Sequence, residues 1–365
     1  MKKILILNNS YWNFYNFRFL LIKELTKKFK VVLGAQKDRY FKFVPKNIKK
    51  NYFELNASGV NFFYEAKSFF LIGKIIYSER PDLIISFTPK INLYTSILCS
   101  LLNKKNISVF TGLGNLFLGN IFKKYFLINL FKIVFKNNSL IIFQNRFDLN
   151  LFIKKKIILK KQAKLIEGSG VDLKKFKYKK LEKKKIFSFL YIGRIIEDKG
   201  IRDLLHAIIF LRKKNFLFNF TFVGKVDHSR LHESTYKSFL NCRNKSYFDY
   251  FEHTDKPSFF INKSDYLIIP SYREGLPKTI LEAFSVGRIV LASNVPGCND
   301  IIKHKINGLL FKVSDYKSLA NAMINAMKLS NKTKKIIINN NLDLIKKFYQ
   351  TKIIVDKYIK LIHEI

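Results

Sequence analysis

Pro270-Ser-Tyr-Arg-Glu-Gly-Leu-Pro-Lys-Thr-Ile-Leu-Glu-Ala-Phe-Ser-Val-Gly287 stands directly after the apolar run Tyr266–Ile269. The run reads as a buried strand, the Gly–Leu–Pro stretch as a turn, and the remainder as a helix opening at about Pro277. Proline suits a helix start because the first helical N–H groups have no intrahelical partner. The N–H groups of Thr279 and Ile280 are then expected to point out of the helix start, where the positive end of the dipole favours an anion. Glu274 falls in the turn and Glu282 one turn inside the helix. Eight residues apart, the two carboxylates can address different hydroxyls of one ligand. A capped helix carrying two solvated glutamates is the plainer alternative.

Working outward, Tyr191-Ile-Gly-Arg-Ile-Ile-Glu-Asp-Lys-Gly200 closes another strand. Arg194 and Lys199 lie on its strand–loop–helix junction, where a planar fork and a mobile point charge could grip a diphosphate. They are also two cations among 67 Lys and Arg. Around these segments, strands are read at Phe187–Ile192, Phe218–Val223, 289–292 and 308–310, with a helix over 200–213. In the amino half, strands are read at 4–7, 31–33, 83–86, 108–110 and 140–143, and helices at 17–28, 91–102 and 121–135. Such alternation predicts parallel sheets covered on both faces. The pattern breaks at 166–170 and at the Lys-rich 174–185, which separates a domain over 1–168 from one over 169–344. A final helix, about 345–365, is placed to pack back on the first domain. The expected fold class is therefore α/β, two Rossmann-like doubly wound domains facing across a cleft, with ligands at the carboxyl ends of the strands.

A chain of 365 residues suits two domains, and 48% hydrophobic with 25% charged residues is a globular composition. The net charge of +41 points to an anionic partner. Lys, Ile, Asn and Phe are all AT-rich in their codons, so genome bias is a second source of lysine. No zinc pattern, RNP-like strand or helix-turn-helix signal supports nucleic acid as that partner. An anionic membrane surface fits better, with candidate lipid contacts at residues 121–136 and 37–52, both rich in aromatics and lysines, although an ordinary helix covering the sheet is the plainer reading of the apolar stripe in 121–136. Cys99, Cys242 and Cys298 form no metal spacing and suggest a reducing compartment. No apolar stretch of spanning length occurs and the first apolar run is short, so a cytoplasmic chain, peripheral on the inner face of the membrane, is expected.

Gly193-Arg194…Lys199-Gly200, with Glu274…Glu282, Val295-Pro-Gly-Cys and Asn307-Gly, resembles glycosyltransferase family 4, retaining enzymes of the GT-B fold. The resemblance runs through Asn16-Phe-Arg18, Phe110-Thr-Gly-Leu-Gly114, Phe143-Gln-Asn145 and Glu167-Gly-Ser-Gly-Val171. There it looks most like bacterial enzymes that extend polyprenyl-diphosphate-linked sugars in surface polysaccharide synthesis. The resemblance implies that Arg194 and Lys199 bind the donor diphosphate, beside Gly193. It implies that Glu282 holds the ribose, and that Glu274 holds the donor sugar with the backbone of Gly275 and Leu276. Thr279 and Ile280 would meet phosphate, and His253 and Thr254 would lie near the nucleobase. Asn16, Arg18, Thr111 and Gly112 become acceptor-side candidates. Three departures stand out: Glu252 where glycine is common, Thr111-Gly112 where many relatives have histidine, and a first loop, Asn8-Asn-Ser-Tyr, without paired glycines. The implied reaction moves a hexose or N-acetylhexosamine from a nucleotide sugar, a UDP sugar by resemblance, to a lipid-linked saccharide, with no metal or cofactor. A nucleotide-sugar epimerase of the same architecture and a non-enzymatic polyanion-binding protein are the rival readings.

Overall fold

The computed structural model describes residues 1–55, 62–113, 121–182 and 184–365. The chain divides into two compact units, one of residues 1–169 with 351–365 and the other of residues 170–350.

The first unit is built on seven parallel strands: β1 (Lys3–Leu7), β2 (Lys30–Ala35), β3 (Lys49–Tyr52), β4 (Leu83–Phe87), β5 (Lys105–Phe110), β6 (Leu140–Phe143) and β7 (Ala163–Leu165). Their order is β3-β2-β1-β4-β5-β6-β7, with Ile4 paired to Val31 on one side and Leu83 on the other. The inner strands are apolar at nearly every position because both faces are covered. On one face Ile4, Ile6 and Leu33 pack with Leu21, Ile22 and the C-terminal residues Ile354, Val355 and Tyr358. On the other, Leu5, Leu7 and Ile84 pack with the helices Phe62–Glu79 and Pro89–Leu101. The helix Ile121–Phe135 buries Phe131, Val134 and Phe135 beside Phe110, but leaves Phe122, Tyr125, Phe126 and Ile133 exposed.

Sequence reading passed over β3 and β7. β3 reads Lys-Lys-Asn-Tyr at a sheet edge, where no apolar alternation is required, and β7 is a three-residue edge strand. The helix expected at 17–28 starts earlier, at Tyr11, passes through a π-helical turn at Phe14–Arg18, and ends at Leu25.

In the second unit, β8 (Phe187–Ile192), β9 (Phe218–Val223), β10 (Phe248–Phe251), β11 (Tyr266–Ile269), β12 (Ile289–Ser293) and β13 (Leu309–Phe311) form a parallel sheet. The order is β10-β9-β8-β11-β12-β13. The helix Ile201–Lys213 buries Leu204, Leu205 and Ile208 on one face, and Lys278–Ser285 buries Ile280, Leu281 and Phe284 on the other. At the end of this unit the helix Asn331–Leu344 runs into a π-helical turn, Ile345–Tyr349. The helix Thr351–His363 then belongs to the first unit. Among the described residues no helix is long and apolar enough to cross a membrane.

Candidate functional site

β8 and β11 are neighbours, yet the chain leaves β8 toward β9 on one side and β11 toward β12 on the other. The loops that follow them therefore diverge at a switch point, the place where an open parallel sheet offers a crevice. Here the two loops are pressed together. Gly200 has a left-handed φ of +69°, and a Cβ there would stand 2.0 Å from the carbonyl oxygen of Pro270. The Tyr272 N–H donates to the Asp198 carbonyl at 3.0 Å. A third loop, after β12, closes in at Gly297, whose φ is +83° and where a Cβ would stand 2.3 Å from the Gly275 oxygen.

This packing brings together residues distant in sequence. Lys199 Nζ forms an ion pair with Glu274 Oε1, and Ser271 Oγ donates to the same oxygen at 2.6 Å. Oε2 accepts no hydrogen bond among the described residues. Arg194 is exposed, and its guanidinium has no hydrogen-bonding or ion-pair partner among the described residues. Its carbonyl accepts from the buried Tyr191 hydroxyl at 2.6 Å, which fixes the turn that presents it. Burial, then the nearby Glu274, drives the Tyr191 pKa up, so this hydroxyl is a donor and not a base. Glu282 is 6% exposed, with Lys278 Nζ 3.5 Å from its Oε1. Burial raises the Glu282 pKa, and Lys278 and Lys175 pull it back.

The helix start differs from expectation at one group. Pro277 is the N-cap, and the Ile280 N–H donates to the Pro277 carbonyl at 3.1 Å while the Ile280 side chain is fully buried. A tightened first turn has satisfied a donor that the sequence left open. Thr279 is half-buried, and Gly275 and Leu276 are buried in the turn. The Gly193 N–H is bonded to the Val223 carbonyl at 2.9 Å, so that residue extends the sheet. His253 and Thr254 follow β10, two strands from β8. His253 Nε2 lies 3.0 Å from Asp255 Oδ1, and Thr254 Oγ1 accepts from the Lys256 N–H.

The acceptor-side candidates lie in the first unit. Arg18 is buried, its guanidinium 4.3 Å from the centre of the Phe87 ring and close to Tyr358. Desolvation lowers its pKa. Asn16 Nδ2 donates to the Trp12 carbonyl at 3.0 Å. Thr111 and Gly112 are half-buried just beyond β5.

Sequence reading missed the residues that hold the two loops in place. Arg230 pairs with Asp198 at 2.7 Å, and the Tyr272 hydroxyl donates to Asp203 Oδ2 at 2.9 Å. Ser271 and Tyr272 stood inside the quoted segment, but Asp198, Asp203 and Arg230 carry no spacing signal, since their partners are 32 to 69 residues away.

A glycine-pinned switch point bearing cations and carboxylates, on one of two parallel α/β units, is a ligand crevice of the kind that doubly wound sheets offer, and two such units are the architecture of the GT-B fold. More particularly, residues 171–343 match the family model for glycosyl transferases group 1. It is 26% identical, over 98% of both chains, to the N,N'-diacetylbacillosaminyl-diphospho-undecaprenol alpha-1,3-N-acetylgalactosaminyltransferase of Campylobacter jejuni. It is 25% identical to the capsular polysaccharide biosynthesis glycosyltransferase CapM of Staphylococcus aureus, over 71% of this chain and 70% of that one. Among solved structures, Anabaena HepE in complex with UDP and glucose superposes with a TM-score of 0.80 at 15% identity, covering both chains fully. Sucrose-phosphate synthase from Thermosynechococcus elongatus gives 0.81 at 16% identity, over 100% of this chain and 99% of that one.

Proposed function

We propose that this chain transfers a hexose or N-acetylhexosamine, with retention, from a UDP sugar to a saccharide carried on polyprenyl diphosphate. The observation that carries the reading is Glu274. Lys199 and Ser271 fix one of its oxygens, and the other is left to accept from a hydroxyl. The names of the Campylobacter and Staphylococcus relatives support the lipid-linked acceptor and surface polysaccharide synthesis, and the UDP in the Anabaena complex supports the nucleotide.

In this reading Arg194 and Lys199 meet the donor diphosphate. Glu282 accepts from the ribose hydroxyls, and Glu274 Oε2 accepts from the sugar. Negative charge builds on the diphosphate as the bond from C1 to its oxygen breaks, and fixed cations aimed there lower the barrier. The acceptor oxygen bonds to C1 on the face the diphosphate leaves, and its proton passes to the departing phosphate oxygen. With two cations in that place, we propose that no metal or cofactor takes part. A lipid-linked acceptor sets the reaction at an anionic membrane surface, on the cytoplasmic side where nucleotide sugars are made.

The test is UDP release from a panel of nucleotide sugars, with and without a short polyprenyl-diphosphate saccharide. We expect release that depends on the acceptor and falls about 100-fold in Glu274→Ala and in Arg194→Ala. Release at the same rate without acceptor, or unchanged in both variants, refutes the assignment.

A further inference from the structure

One exposed surface of the first unit gathers aromatic rings and cations from two neighbouring loops. The segment Ser10 to Phe19 follows β1, and the short helix Arg39–Phe43 follows β2, so both stand at the carboxyl end of the sheet. The two are tied together by the Tyr11 N–H, which donates to the Gln36 carbonyl at 3.3 Å. From them Trp12, Tyr15, Phe19 and Phe43 project at 41%, 37%, 40% and 50% exposure. Tyr15 stands at the centre, its ring 5.9 Å from Phe19, 5.3 Å from Tyr40 and 5.5 Å from Phe43. Aromatic side chains packed on each other yet open to solvent form a contiguous amphipathic surface, which a soluble face does not need.

The charge around them has one sign. Lys37, Arg39, Lys42 and Lys46 are exposed beside the rings, with Lys42 Nζ 5.4 Å from the Phe43 ring centre. Asp38 is the one acid in residues 10–19 and 36–46. It is half-buried, and its oxygens accept from the Trp12 and Tyr40 N–H groups at 2.7 Å each. The surface therefore offers rings and an excess of cations, and its one carboxylate is held by two backbone N–H groups. Trp and Tyr favour the water–lipid boundary, where an apolar body and a polar edge are both satisfied. Basic residues beside them gain from anionic headgroups. The first turns of the helices that follow β3 and β5 add exposed Phe62, Phe63 and Phe122.

We propose that Trp12, Tyr15, Phe19 and Phe43, flanked by Lys37, Arg39 and Lys42, are the surface by which this chain docks on an anionic lipid bilayer. The proposal rests on the reading that the acceptor is lipid-linked, and gives that reading its docking face. The occupant is a bilayer because, on this ledge, exposed rings from one segment stand beside exposed cations from the next, matching an interface that is apolar below and anionic above.

The full-length chain is to be sedimented with vesicles of phosphatidylcholine alone and of phosphatidylcholine with phosphatidylglycerol. Binding is expected to the anionic vesicles only and to weaken as salt rises. Trp12→Ser with Phe43→Ser, and separately Lys37→Ser with Lys42→Ser, should each lower it roughly tenfold. All four positions are exposed, so thermal unfolding should be unchanged. Phe348→Ser with Lys346→Ser and Lys347→Ser, an exposed ring and two cations on the second unit, should leave binding intact. Equal losses in that control would refute the ledge in favour of diffuse charge. Vesicle binding that survives the ledge substitutions while self-association is lost would make the ledge a contact between copies. Vesicle binding through the ledge by a chain that transfers nothing to a polyprenyl-diphosphate saccharide would sustain the docking and overturn the acceptor reading. Transfer that proceeds without ledge-dependent binding would do the reverse.

Discussion

Glu274 is an acid with one oxygen engaged and one to offer, and Ser271 helps to decide which is which. Its hydroxyl and Lys199 Nζ converge on Oε1, so the carboxylate cannot rotate without losing both. Ser271→Ala removes the neutral donor and leaves the charge pair. We expect kcat/KM for the nucleotide sugar to fall about tenfold, a typical loss for a hydrogen bond to a charged group, with UDP affinity unchanged. Ser271→Thr should restore most of it. Steady-state kinetics beside UDP titration checks this, and equal loss of UDP affinity would make Ser271 merely structural. Glu282 poses a different question, because burial raises its pKa. The folded chain then holds that proton more tightly than the unfolded chain does. The group's contribution to stability is full below the ordinary carboxylate range and is lost as pH rises through the raised value. Glu282→Gln cannot ionise, so it should gain stability over the parent chain as pH rises from the ordinary carboxylate range through the raised value, and then hold that gain, while binding the donor more weakly. Urea denaturation across pH measures this, and a pH-independent difference would contradict it.

Among the elements, the helix Thr351–His363 is the one whose place is least obvious from its position in the chain. Ile354, Val355, Tyr358 and Ile362 are buried in the first unit's core, where the Tyr358 ring lies 6.4 Å from that of Phe87. Burying side chains of this size contributes about 1.5–3 kcal/mol each, so four together rival the whole stability of a domain. A chain ending at Gln350 should therefore lose the first unit's cooperative transition and keep the second's, as calorimetry would show. Two transitions in the shortened chain would mean that the helix is dispensable. The inner strands were legible because each carries an apolar run, as a sheet covered on both faces demands. β3 was not, since an edge strand of Lys-Lys-Asn-Tyr takes its place from the register with β2 and not from its own pattern. The Ile280 N–H was misread for a related reason: whether a first turn tightens to 3₁₀ geometry depends on the cap conformation, here Pro277 at φ −65° and ψ 116°.

Over the molecule as a whole, the +41 charge was plain from composition while its use was not. The basic, aromatic stretch over 37–52 was visible, but Trp12 and Tyr15 joined it only once β1 and β2 lay side by side. The amino-acid sequence by itself determined two parallel α/β units and the strand–turn–helix segments bearing Arg194, Lys199, Glu274 and Glu282. Periodicity, turn residues and helix starts are local properties, set by neighbours a few positions apart. Tertiary structure alone decided that Lys199 and Ser271 share one oxygen of Glu274. It also decided that Tyr272 and Asp203 brace those loops, and that Arg18 lies over the Phe87 ring. Those partners are up to 75 positions apart in the chain, and only the folding of distant strands into one sheet brings them together.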